Sequence, residues 1–212
     1  MGKSIIIVGY GPGISTAVAD RFGAEGYAVG LVSRNYHESL LAQLTRKGVT
    51  VHFEAADAGN IPDLQTALHR LSAKLGGVGV VLYNAAVLKA TDILRLPPQE
   101  LVQDFGVNVA GALGTVQALL AELKMTSGAV LFTGGGLATN PHPQYGSLSI
   151  GKAGLRSLAF QLYQRLQPEG VYAGILTITQ GINEGDPTYS PQALAGHVWQ
   201  MAQQRSTPET IV

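Results

Sequence analysis

Apolar and polar positions along this chain fall into two alternating rhythms. Short, β-branched apolar runs recur over roughly 4–9, 28–33, 50–55, 78–84, 127–133 and 171–179, and each reads as a buried strand. Between them, apolar residues recur at helical spacing over roughly 13–25, 36–47, 61–74, 98–124, 146–167 and 191–204. Ser190-Pro191 has the form of an N-cap followed by proline in the first turn, and Pro97-Pro98 announces the long helix in the same way. No internal repeat, low-complexity tract or linker interrupts the pattern, so residues 1–212 read as one domain. Strict alternation of strand and helix implies right-handed crossovers and an α/β fold, a three-layer, doubly wound parallel sheet. Ligands bind such sheets at the carboxyl ends of the strands, which is where chemistry is to be sought.

Composition supports this reading. Hydrophobic residues make up 46% of the 212 and charged residues only 13%, which suits a sheet buried on both faces. The 14 basic and 14 acidic residues cancel, and no basic stripe appears. Nucleic acid and anionic membranes are therefore poor expectations as partners, and a small molecule is the better one. Cysteine is absent, which excludes disulfides, thiolate catalysis and thiolate metal sites. The opening MGKS leads into an apolar stretch too short for a signal-peptide core, and no apolar run approaches the ~18 residues of a membrane span. A cytoplasmic protein is expected.

The most informative stretch is IIIVGYGPGISTAVADRF, residues 5–22. An apolar strand ends at Gly9, a turn holds Gly11, Pro12 and Gly13, and a helix pattern follows from Ile14. Glycines let the backbone approach a diphosphate, and the free N–H groups of the helix start face its charge. With the alternating pattern, this turn points to a Rossmann fold that binds a dinucleotide. The second strand ends in LVSRN, without the acid that usually accepts from the ribose of NAD. Ser33 and Arg34 offer a hydroxyl and a cation there, a pair suited to the 2′-phosphate of NADP(H), although Arg34 also reads as a solvated arginine at a helix start. Asp57, after the third strand, reads either as an acceptor for the adenine amine or as a cap for the next helix. Asn84 ends the fourth strand, and Ala85 and Ala86 after it permit close approach to a ribose; Asn84 reads equally as a buried amide satisfying local backbone.

Taken in order, these pieces resemble the short-chain dehydrogenase/reductase family over nearly the whole chain. The matching residues are Gly9, Gly11, Gly13 and Ile14 at the phosphates, Asp57 at the adenine, and Asn84-Ala85-Ala86 after the fourth strand. Asn108 in FGVNVAG matches the structural and proton-relay asparagine, and Lys152 in SIGKAGL matches the lysine that holds the nicotinamide ribose. The family's usual catalytic tyrosine falls at Leu148 and its usual serine at Gly135, and neither residue can do that chemistry. Tyr145 stands seven residues before Lys152, nearly two helical turns, so the two share a face if the helix begins early. This Y-x6-K spacing is similar to that of the enoyl-ACP reductases in the same superfamily, as is Ser15 in place of a third glycine. The resemblance implies an NADP(H)-dependent oxidoreductase acting on an unsaturated or carbonyl compound, with Tyr145, Lys152 and Asn108 as its catalytic set. A phenol displaced along the helix suits an enolate, whose charge develops farther from the nicotinamide than that of a ketone. Tyr145 also reads as a loop aromatic that only lines the pocket, His142 as a loop histidine able to carry a proton, and Thr133 as a strand-end hydroxyl two positions out of register. The alternative is a catalytically degenerate NADP-binding protein with a regulatory or sensing role.

The carboxyl end reads as short. Only 32 residues follow Gln180, GINEGDPTY is a brief polar loop where the family usually has a lid, and TPETIV is the candidate stub of an edge strand. Small apolar residues over 109–121 and 153–162 suit the helical dimer interface common in the family, so a homodimer is expected.

Overall fold

The structure is a computed structural model and describes residues 3–212. The elements run β1 (Ser4–Val8), α1 (Ile14–Ala24), β2 (Ala28–Ser33), α2 (Glu38–Arg46), β3 (Val51–Ala55), α3 (Ile61–Leu75) and β4 (Val80–Tyr83). There follow α4 (Pro98–Phe105), α5 (Gly111–Thr126), β5 (Ala129–Thr133), α6 (Gly146–Leu166), β6 (Tyr172–Thr177), α7 (Pro191–Gln204) and β7 (Glu209–Ile211). The strands form one seven-stranded sheet in the order β3-β2-β1-β4-β5-β6-β7, and every neighbouring pair is parallel. The order reverses between β1 and β4, so the crevice of a doubly wound sheet opens above Val8 and Tyr83.

Two apolar layers enclose the sheet. On one face Ile5 and Ile7 pack with Phe22 of α1, Leu44 of α2 and Val198 of α7. On the other, Ile6 and Val8 pack with Leu68 of α3, Leu119 of α5 and Leu155 of α6. Alternate residues of β1 serve opposite faces, as the pleat requires, and all five are buried. This is why the central strands read as unbroken apolar runs. Ser190 caps α7 as its sequence predicts, accepting from the Ala193 N–H at 3.3 Å.

Two expectations are corrected. The helix predicted over 98–124 is not uniform, because α4 passes through a π-helical turn, Gly106–Ala110, before α5. The Tyr83 hydroxyl donates to the Val107 carbonyl at 2.5 Å within that turn, and a Cβ at Gly111 would lie 2.4 Å from the same hydroxyl. Second, the continuous run Pro98–Thr126 has 29 residues and a stretch of mean hydropathy 1.3, long and apolar enough to cross a membrane by length and composition. Here 44% of that stretch is buried within the fold, and α5 packs on α3. The candidate edge strand is present: Glu209–Ile211 of TPETIV form β7 at the edge of the sheet, and GINEGDPTY is the loop between β6 and α7. Glu209 anchors β7, accepting two hydrogen bonds from Arg156 of α6 at 2.8 and 2.6 Å and one from Thr177 of β6 at 2.6 Å.

Candidate functional site

The turn after β1 is shaped by two backbone positions that disfavour side chains. Gly9 has φ +85°, and a Cβ there would lie 2.4 Å from the Ala85 nitrogen, so the turn nests against the end of β4. Gly13 has φ +95° and precedes α1 without any side-chain cap, and no acidic residue stands in the first turn. The first N–H groups of α1 are left for a ligand, and the helix dipole favours an anion there. Ser15 is buried beneath the turn. Its hydroxyl donates to the Gly11 carbonyl at 2.8 Å and accepts from the Gly11 N–H at 3.0 Å. Gly11 and Ser15 lie outside the lining of both cavities described next, and the Ser15 hydroxyl fixes the turn from below.

Two cavities flank this turn and share Asn84, Ala86 and Leu88. The first, about 520 Å³, is walled by Gly9, Ser33, Arg34, His37, Asp57 and Ala85. Arg34 is exposed on its wall. Ser33 turns its hydroxyl to the Asn35 carbonyl at 2.7 Å. Asp57 lines the cavity and accepts from the Gly59 N–H at 2.8 Å in the loop before α3; it does not cap α3, which begins after Asn60 without a side-chain cap. The second cavity, about 710 Å³, holds Gly13, Ile14, Thr133, Tyr145, Leu148 and Lys152 on its walls.

Within the second cavity the polar groups are tied together. The Asn84 amide donates to the Gly9 carbonyl at 3.0 Å and its Oδ1 accepts from the Thr133 hydroxyl at 2.9 Å. Asn84 therefore satisfies local backbone and lines both cavities at once. Lys152 reaches from α6 to the Thr133 carbonyl, 2.7 Å from Nζ, and burial pushes its pKa down to about 8. Its stem lines the cavity while the amine is withdrawn from bulk water, where the charged form is disfavoured. Tyr145 is the residue before α6 begins, and its carbonyl accepts from the Ser149 N–H at 2.8 Å. It stands 41% exposed, so the fold brings it and Lys152 into one cavity without a hydrogen bond between their side chains. Asn108 sits in the π-helical turn; its Oδ1 accepts from the Val87 N–H at 2.7 Å, and its Nδ2 is buried without a protein partner. A Cβ at Gly151 would lie 2.6 Å from that nitrogen, so α6 passes directly over Asn108.

Two neighbours were undervalued by sequence reasoning. Thr133 was set aside on register, yet it holds both Asn84 and Lys152; its place at the end of β5 was the signal available. His37 carries no motif signal in the sequence, yet its ring stands edge-on to Tyr10 with centroids 6.0 Å apart and borders the first cavity. His142 stands edge-on to Tyr145 at 5.9 Å and lies outside the second cavity's lining.

Known proteins share this fold. A family model for short chain dehydrogenase matches residues 3–182. The cis-2,3-dihydrobiphenyl-2,3-diol dehydrogenase of Paraburkholderia xenovorans (strain LB400) is 30% identical over 183 residues, covering 82% of this chain and 65% of that protein. The matched stretch thus spans about two thirds of that relative's length. Among solved structures, a short chain dehydrogenase from Burkholderia cenocepacia J2315 in complex with NADP superposes with a TM-score of 0.90 at 21% identity, covering 100% of this chain and 96% of that one. The NADH-dependent reductase A1-R′ complexed with NAD gives 0.86 at 20% identity, covering 100% and 94%. At these identities the superpositions speak for the fold, whereas the family match extends from β1 past the end of β6. On the strength of that match and of the glycine turn, Asn84, Asn108 and Lys152 set out above, this chain belongs to the short chain dehydrogenase family.

Proposed function

We propose that this protein is an NADP(H)-dependent oxidoreductase that reduces an unsaturated or carbonyl small molecule. The observation that carries the reading is Lys152, an amine withdrawn from water and fixed by the β5 carbonyl, in one cavity with Tyr145 and the open start of α1. The residues fit a dinucleotide. The uncapped N–H groups after Gly13 suit the diphosphate, and the Ser33-Arg34 pair suits a 2′-phosphate. Asp57 and Asn84 would border the adenosine and the ribose. When bound, such a cofactor supplies or accepts hydride. Lys152 keeps N–H groups beyond the one given to Thr133, and these would hold ribose hydroxyls and keep the local field positive. Tyr145 would hydrogen-bond the substrate oxygen as negative charge develops there and deliver a proton. Asn108 would keep α6 in place and offer its Nδ2 to a relayed water.

A second reading, cofactor binding without turnover in a regulatory or sensing role, is favoured by one specific observation. Leu148 is buried and lines the cavity where the family's usual tyrosine stands, and Gly135 leaves the usual serine position bare. An NADPH-consumption screen over enones, enoyl thioesters, ketones and aldehydes separates the two, run beside calorimetry of NADPH and NADH. Turnover of conjugated compounds supports the first reading; tight binding with no turnover supports the second. Absence of nucleotide binding overturns both. We also infer a homodimer, supported by exposed Val102, Phe105 and Leu113 along the outer face of α4 and α5.

A further inference from the structure

Tyr145 stands one residue ahead of α6, outside the regular part of the helix. Its own hydrogen bonds are local, from its N–H to the His142 carbonyl and from the Ser149 N–H to its carbonyl. The start of α6 has no side-chain cap within its own segment, so its free N–H groups need partners from elsewhere. Two other segments pin the first turn. The Gly146 N–H donates to the Thr91 carbonyl at 3.1 Å, and the buried Ser147 hydroxyl donates to the Asp104 carboxylate at 2.5 Å. The first of these contacts belongs to a clasp. Thr91 and Tyr145 pair as an isolated parallel bridge, and the Ile93 N–H donates back to the Pro143 carbonyl at 2.9 Å. A Cβ at Gly146 would lie 2.7 Å from Ile93 Cδ1 and 3.1 Å from Ile93 Cα, so the two segments approach closely enough to favour glycine.

Asp92 sits at the centre of the clasp. Its Oδ1 accepts from the Leu94 N–H at 3.0 Å, which folds its own loop. Its Oδ2 accepts from the Gln144 side chain, also at 3.0 Å, which reaches across from the segment before α6. One carboxylate therefore holds both sides of the contact. The loop is anchored at its start as well, where the Val87 N–H donates to Asn108, and from this loop Leu88 lines both cavities. We infer that Asp92 is a positioning residue: through Gln144, and through the clasp that closes at Gly146, it aims the Tyr145 side chain into the second cavity. The chemical use of that phenol rests on the reductase reading; its placement by the clasp does not.

The test uses the intact protein beside Asp92→Ala, Asp92→Asn and Gln144→Ala. Amide hydrogen exchange is read at Ile93 and Gly146, the two N–H groups that cross the clasp. Fluorine NMR reads Tyr145 in protein labelled with 3-fluorotyrosine, its resonance assigned by its loss in Tyr145→Phe. In the wild type both amides are expected to be protected. In Asp92→Ala they should exchange together about tenfold faster, the scale of a lost hydrogen bond, while the β4 amides keep their rates. The Tyr145 resonance should move, and any NADPH-dependent turnover should lose about tenfold in kcat with the KM for NADPH retained. Asparagine keeps an acceptor for Leu94 and offers its amide to the Gln144 oxygen, so Asp92→Asn should restore each readout. Gln144→Ala, at an exposed position, should move the Tyr145 resonance in the same direction and keeps the test open if Asp92→Ala does not fold. Unprotected Ile93 and Gly146 amides in the wild type would overturn the inference. So would a Tyr145 resonance unmoved in Gln144→Ala, or a folded Asp92→Ala that asparagine does not rescue. Absence of turnover, or turnover that Tyr145→Phe leaves intact, removes the reductase use of the phenol, and the exchange rates and the resonance still decide the clasp.

Discussion

Replacing Lys152 with methionine should make the protein more stable at neutral pH. The amine's pKa falls from its ordinary 10.5 to about 8, and the cause is burial, with no carboxylate to compensate. At about 1.4 kcal/mol per tenfold change, keeping the charged amine in that place costs the fold about 3 kcal/mol. Methionine removes the charge and keeps the stem's packing, but it forfeits the hydrogen bond to the Thr133 carbonyl, worth about 1–2 kcal/mol when the acceptor is left short. The net gain is about 1–2 kcal/mol at pH 7, or about 2–8 °C in Tm for a domain of this size. The pH dependence gives the sharper reading. Below pH 8 the lysine is protonated in both the folded and the unfolded chain, and the full cost is present. Between 8 and 10.5 the unfolded chain holds more protons than the folded one, so wild-type stability rises with pH. Groups common to both proteins cancel in the difference. Calorimetric melting of wild type and Lys152→Met from pH 6.5 to 10.5 should therefore show the variant ahead at neutral pH and its lead shrinking above pH 8. Equal Tm values at pH 7, or a difference flat across the range, would refute the argument. Such a cost is what a group kept for function imposes on a fold.

Four further outcomes follow from the same geometry. Arg34→Ala should lower NADPH affinity about tenfold in calorimetry and leave NADH affinity near its starting value; an unchanged preference would remove Arg34 from cofactor selection. Tyr145→Phe should reduce any turnover by about 10²-fold with the cofactor affinity retained, and an unaffected rate would reduce Tyr145 to a pocket wall. Glu209→Gln should cost about 1–2 kcal/mol in urea unfolding, a modest figure because the Arg156 side chain is 35% exposed and partly screened. The Arg156 guanidinium holds the Glu209 carboxyl below its ordinary 4.5, so its contribution is present above that value and is lost as pH falls through the lowered one; the stability difference between wild type and Glu209→Gln should narrow accordingly. Phe105→Glu should yield a monomer in sedimentation if the outer face of α4 and α5 pairs two subunits.

The sequence by itself determined the layers of this protein. Ile5, Ile6, Ile7 and Val8 form an unbroken apolar run because β1 is covered on both faces, and amphipathic stretches between such runs leave a parallel, doubly wound sheet as the way to bury both. It also marked the glycine turn, because a φ of +85° at Gly9 with the Ala85 backbone 2.4 Å from a Cβ site restricts the position to glycine in any sequence that folds this way. Periodicity could not see the π-helical turn inside 98–126, since one extra residue in a helix scarcely alters an apolar pattern, yet that turn places Asn108 against Gly151. Nor could it show that Thr133 joins Asn84 to Lys152, or that three residues near the end complete the sheet through Glu209, because each depends on a contact between segments far apart in the chain. Only tertiary structure sets how deeply an amine is buried. A lysine at position 152 is visible in the sequence; the lowered pKa belongs to the cavity that β5, α6 and the segment after β6 close around it.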